Sequence, residues 1–233
     1  YQYSFLFETI NKINETVDDA LMILSMLVYR RFNSFGYTVD LCDDSNNILQ
    51  QIVHKTSKGT SGEEHMIKKD PEFEKYFTDS NATLLIEAYM SLVKEEKDKY
   101  TKLIYAFLTI NELRIFEPSF RDAFFLLEAI CKLLLKPVRS IQVEKMVVEC
   151  CRLASIDLEK VNLHPSIESK DLKWLITEYR NELTHYNFNL VFEKSLISVE
   201  FTKMMYIIRR LMLFYLVPQM SEFPYPEGKF SIK

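Results

Sequence analysis

The chain has 233 residues, 48% of them hydrophobic and 27% charged, with a formal net charge of -4. That length buries a substantial core as one large domain or two small ones, and the acidic balance argues against a general polyanion binder. Four glycines and seven prolines disfavour a turn-rich β architecture, while seventeen Phe and thirteen Tyr point to aromatic packing between long helices.

Phe7, Ile10, Ile13, Val17, Leu21, Leu24 and Val28 recur at helical spacing, which predicts an amphipathic helix ending near Arg31. Tyr37 to Leu41 alternates apolar and polar residues and predicts a short strand. Asn46 to His54 reads as one short helix. From Lys55 to Ser80 the periodicity dissolves into a Gly-, Ser- and charge-rich stretch, an exposed loop and the candidate boundary between residues 1–80 and residues 81–233. Residues 1–80 then form an N-terminal helical extension or linker region.

Ser80 or Asn81 caps the next helix, through Leu85, Ile86, Tyr89 and Leu92. Lys94 to Lys99 is wholly charged, either a solvated helical stretch or a break, and an apolar series follows from Leu103 to Leu113. Pro118-Ser119 opens a helix from Phe120 to Leu135, stopped by Pro137. Ser140 starts another, to about Leu153. His164-Pro165 lies in a loop, and Ser169 or Asp171 caps the helix that carries Trp174, Leu175, Tyr179 and Leu183. A last long helix runs from Ser195 to Leu216, before a tail containing Pro218, Pro224 and Pro226. The expected fold is all-α, a bundle of about six to eight helices with at most a short strand near 37–41.

No apolar run reaches the roughly twenty residues that span a bilayer; the richest, Phe201 to Val217, is broken by Lys203, Arg209 and Arg210. With no signal peptide visible, the expected location is the cytoplasm, without a membrane partner. The chain begins at Tyr1 rather than Met and reads as the C-terminal part of a longer protein.

Cys42, Cys131, Cys150 and Cys151 include no C-x-x-C pair, and Cys150 and Cys151 on one helix do not readily bridge to each other. They read as buried reduced thiols rather than metal ligands. His54 and His65 are too loosely placed for a metal pair. No phosphate-binding glycine loop or nucleophile elbow is present, so neither a metal nor a cofactor is expected. Met22, Met26, Met204 and Met205 sit among aliphatic residues and read as core. Arg209-Arg210 either grips RNA or snorkels to solvent from an apolar helix. Between Ser119 and Val217 fourteen Lys and Arg face twelve Asp and Glu. Basic charge is thus biased weakly toward the C-terminal half, and any RNA contact there is local.

The segment Tyr179-Arg180-Asn181-Glu182-Leu183-Thr184-His185-Tyr186 holds an arginine, a following asparagine and a histidine as R-N-x-x-x-H. An arginine to hold a phosphate and an imidazole to move protons suffice for metal-free cleavage of RNA. On an ideal helix five residues turn about 500°, a net separation of about 140°. Arg180 and His185 therefore converge only where the helix ends or distorts near Thr184. The poor helix formers from Tyr186 to Asn189 favour such an end, where the helix dipole also favours imidazolium.

The stretch W-L-I-T-E-Y-R-N-E-L-T-H-Y from Trp174 to Tyr186 resembles the signature of the HEPN superfamily, helical proteins that include many ribonucleases. The helix F-R-D-A-F-F-L-L-E-A-I-C from Phe120 to Cys131 is similar to an earlier helix of the ApeA-like branch, in which an aromatic and aliphatic face leads to an acidic residue; Phe124, Leu127 and Glu128 match it. The resemblance covers roughly Asn81 to Val217. It implies a metal-independent endoribonuclease effector of bacterial anti-phage defence or of a toxin system, acting on RNA as a homodimer with a sensor domain upstream. By that resemblance His185 is general acid or base at the 2′-hydroxyl, Arg180 stabilises the scissile phosphate and Asn181 orients one of them. Glu128 either pairs with Arg180 or completes a structural polar network. The alternative is a non-catalytic HEPN-like module that binds RNA or dimerises a larger sensor. One position departs from toxins regulated by nucleotidyltransferases: they carry tyrosine two residues after the histidine, where this chain has Asn187, so tyrosine AMPylation is not inferred.

Overall fold

The computed structural model describes residues 2–28, 36–42, 48–55, 79–112, 116–136, 142–156 and 194–219. The chain divides into two compact units, Tyr1–Thr78 and Asp79–Lys233. In the first, α1 spans Gln2–Val28. Its apolar stripe ends in Ile23, Met26 and Leu27, all buried. Thr16 and Ser25 donate their hydroxyls to the carbonyls of Lys12 and Leu21 at 2.9 and 2.6 Å, which satisfies polar groups that would otherwise compete with the helix.

The same unit holds an antiparallel hairpin of β1 (Gly36–Cys42) and β2 (Ile48–Lys55). Gly36 lies opposite Lys55 and Val39 opposite Ile52, and the register shifts between Leu41 and Cys42. The strand expected at 37–41 is thus present, and it has a partner. The helix expected from Asn46 to His54 is instead that partner. Ile48, Leu49, Ile52 and Val53 fit one helical stripe as well as a strand, and over eight residues periodicity does not separate the two. Pairing with β1, reinforced by the strand preference of Ile and Val, decides it.

The described residues of the second unit are all-α. Its described helices are α2 (Asp79–Met90), α3 (Lys94–Glu112), α4 (Phe116–Leu135), α5 (Val143–Leu153) and α6 (Lys194–Leu216). The charged run Lys94–Lys99 is the first turn and a half of α3, not a break: Lys99 and Glu95 bond at 2.6 Å across one turn. α4 packs against α3, α5 and α6, and α6 also meets α2 and α5. Phe120 stands at the middle of this arrangement, 5.2 Å from Phe124 and 6.0 Å from Phe201 between ring centroids. Burying such a ring contributes about 2–3 kcal/mol from area alone.

Helix ends follow local chemistry. Pro118 falls in the first turn of α4, where its missing N–H is not needed. α4 starts at Phe116, four residues before the expected Phe120. It stops at Lys136, which takes a left-handed φ of 44° and donates its N–H to the Lys132 carbonyl at 3.0 Å; Pro137 follows. α5 starts at Val143, after Ser140, with no side-chain cap from Gln142. It ends in a Schellman turn in which Ser155 has φ 52° and Ile156 reaches back to the Cys151 carbonyl at 2.9 Å.

Candidate functional site

Of the residues singled out by the sequence, Arg180, Asn181 and His185 lie outside the described residues, as do His65 and His164. Glu128 is described. It sits on α4 one turn beyond Phe124, with Phe124 and Leu127 turned into the core and Phe125 exposed on its own flank. The sequence pattern explains the placement. Phe120, Ala123, Phe124, Leu127, Ile130 and Cys131 repeat at three- and four-residue intervals and face inward, which leaves position 128 at the edge of the stripe.

At that edge the carboxylate accepts a hydrogen bond from Lys132 Nζ at 2.7 Å, with Glu128 17% and Lys132 57% exposed at the side chain. Acid preceding base by four residues is the favourable order on a helix. With one partner largely in water, such a pair is worth only about 0.5 kcal/mol. The pair places a cation beside Glu128 within its own helix.

Below Glu128 lies a cluster of thiols between α4 and α5. Cys131, Cys150 and Cys151 are free and buried, the state read for them from the sequence. Cys150 Sγ donates to the Cys131 carbonyl at 3.8 Å. A hydrogen bond between the thiols, together with burial, pushes Cys131 well above the ordinary thiol range. The same bond favours ionisation at Cys150. Burial first, and then Cys150, push Cys151 up to about 12. Proton loss in this cluster therefore belongs to Cys150, and Cys131 and Cys151 keep their protons at neutral pH.

A second polar feature was misread in the sequence. Arg210 does not snorkel: it is 5% exposed, and its Nη2 donates to the Ala154 carbonyl at 3.4 Å. Burial lowers its guanidinium pKa from the ordinary value, without approaching neutrality. Lys203, one heptad earlier on α6, is 3% exposed. Their seven-residue spacing puts both cations on one stripe, which was visible in the sequence. Invisible was that every position from Lys203 to Ile208 and from Arg210 to Leu213 is buried. Arg209, between these runs, is half-buried. Met204 and Met205 are core and Met26 is buried, as their aliphatic surroundings indicate, whereas Met22 is only half-buried.

Among the described residues no cluster of His, Cys, Asp or Glu is arranged to hold a metal ion, and no helix is long and apolar enough to cross a membrane. A scan of protein-family models, a search of curated proteins and a search of solved structures each return no match. The resemblance of the Arg180–His185 segment therefore rests on the residues of the chain itself.

Proposed function

We propose that the chain is a metal-independent endoribonuclease whose reacting groups are Arg180 and His185. The observation that carries this reading is the R-N-x-x-x-H segment placed after the aromatic helix that carries Glu128. An all-α bundle with Glu128 at the edge of the apolar stripe of α4 supports it, because a polar group there borders the core without being sealed inside it.

The chemistry needs no metal. His185 takes the proton from the ribose 2′-hydroxyl as the oxygen attacks phosphorus, or gives one to the departing 5′-oxygen. The products are a 2′,3′-cyclic phosphate and a 5′-hydroxyl. Arg180 stabilises the charge that develops on the phosphoryl oxygens. Asn181 orients one of these groups, and Glu128, already paired with Lys132, acts at most through its neighbours. The acting form is a homodimer on an RNA substrate in the cytoplasm, an effector of bacterial anti-phage defence or of a toxin system. An upstream sensor domain supplies the trigger.

The test is cleavage in EDTA. The purified chain is expected to cut RNA and to leave cyclic-phosphate ends, and His185→Ala is expected to lose roughly a hundredfold to ten-thousandfold in rate with an unchanged circular dichroism spectrum. Equal cutting by the variant sinks the proposal. RNA binding without cutting points to the non-catalytic alternative.

A further inference from the structure

α4 and α5 are neighbours, and each contributes a fully buried thiol to their contact, Cys131 from α4 and Cys150 from α5. We propose that Cys131 and Cys150 are a redox pair that closes to a disulfide when the protein meets a hydroperoxide, fastening α5 to α4. The geometry carries the inference. Cys150 Sγ lies 3.8 Å from the Cys131 carbonyl, which puts its sulfur against the residue it would bond. A disulfide forms only between side chains that already face one another across a short backbone gap. The contact of Cys150 Sγ with the Cys131 backbone, where both residues are buried, makes that gap short.

The alternatives within the cluster are poorer. Cys150 and Cys151 are adjacent on one regular helix, which points their side chains about 100° apart. Cys151 holds its proton through burial, so it is neither the better nucleophile nor the hydrogen-bonded partner. Cys150 is the thiol whose ionisation its neighbour favours, and the thiolate is the form that reacts.

The step balances. Cys150 thiolate attacks the O–O bond of hydrogen peroxide, which breaks to give a sulfenic acid and hydroxide; a proton converts the latter to water. The Cys131 sulfur then attacks the sulfenic sulfur, the S–S bond forms and the S–O bond breaks. Oxygen leaves as water with the Cys131 proton. Two thiols and one peroxide yield one disulfide and two waters. Because neither thiol is exposed, peroxide reaches them only when α5 opens locally, so the reaction is slow in the closed fold and follows the opening equilibrium.

Peptide mapping of the whole chain tests this. Trypsin separates the two cysteines, since Lys132, Arg139 and Lys145 lie between them. After treatment with hydrogen peroxide and alkylation of the remaining thiols, the expected product is a non-reduced peptide linking Cys131 to Cys150, lighter than the two thiol peptides by both sulfhydryl hydrogens. Cys131→Ala and Cys150→Ala each abolish it, and Cys151→Ala retains it. Wild-type chain alone decides the matter should a variant fail to fold. If both thiols stay alkylatable in the folded chain at peroxide levels that oxidise them in urea, the proposal is overturned. Linkage through Cys151 in place of Cys150 overturns it too.

Discussion

α3 and α6 both set charges into apolar sequence, and the bundle treats the two sets in opposite ways. In α3 the pair Glu95 and Lys99 bonds at 2.6 Å with side chains 80% and 57% exposed. In α6 Lys203 and Arg210 are 3% and 5% exposed. The residue types are alike; the surroundings differ. α3 buries one stripe, Tyr100, Ile104, Phe107 and Leu108, and keeps an outer face for its charges. α6 packs against α2, α4 and α5, and it is buried at every position from Lys203 to Ile208 and from Arg210 to Leu213. A charge in a helix reports solvent only when the helix has a solvent side.

The largest expected effect comes from breaking the buried member of this comparison. Arg210→Ala leaves the Ala154 carbonyl without that donor and opens a void, and is expected to destabilise by about 3 kcal/mol. Arg210→Met keeps the volume without the charge, and by the cost of desolvating an ion it is expected to lie within about 1 kcal/mol of wild type. Urea unfolding of both variants checks the pair. Equal losses would mean that the guanidinium itself, not the packing, holds α5 to α6.

A middle effect concerns the joint between the two helices. Tyr100 of α3 donates its hydroxyl to the Met212 carbonyl of α6 at 2.8 Å and stacks on Tyr215 at 5.4 Å. Burial pushes its phenol well above the ordinary range, so it stays neutral and bonded across accessible pH. Tyr100→Phe keeps the stack and removes the bond, and a loss of about 1–2 kcal/mol is expected by thermal unfolding.

The smallest effect sits on the exposed side. The hydrogen bond and charge of Lys99 hold the Glu95 carboxyl below its ordinary value. Folding stability from this group is therefore present above the ordinary carboxylate pKa and lost as pH falls through the depressed one. Lys99→Ala is expected to return the Glu95 titration, followed by carboxyl NMR, to the ordinary value with no resolvable change in the unfolding midpoint. A clear drop in midpoint would show that exposure is a poor guide to the worth of a charge here.

Legibility followed element length. Helices of nineteen residues or more, α1, α3, α4 and α6, announce themselves because a stripe repeated over five turns has few alternatives. The charged start of α3 was ambiguous because charge is compatible with helix and loop alike. Ile48 to Lys55 was misread because eight residues fit two periods and only the partner strand chooses. At the candidate site, Glu128 could be placed on the edge of its helix from the stripe around it. Its pairing with Lys132 was implicit in the four-residue spacing. The contact of Cys150 with Cys131 was not legible, since nineteen residues of sequence carry no signal of which two helices touch.

The sequence by itself determined the helical class, the inward face of α4, the burial of Cys131, Cys150 and Cys151 and of Met26, Met204 and Met205, and the residues on which a ribonuclease reading rests. Those are properties of one segment at a time, set by periodicity and side-chain chemistry. Only the tertiary structure decided that β2 is a strand, that Arg210 is an internal tie to the end of α5, and that Cys131 and Cys150 meet. Each of these depends on a neighbour distant in the chain, and burial is a property of the pair rather than of either partner.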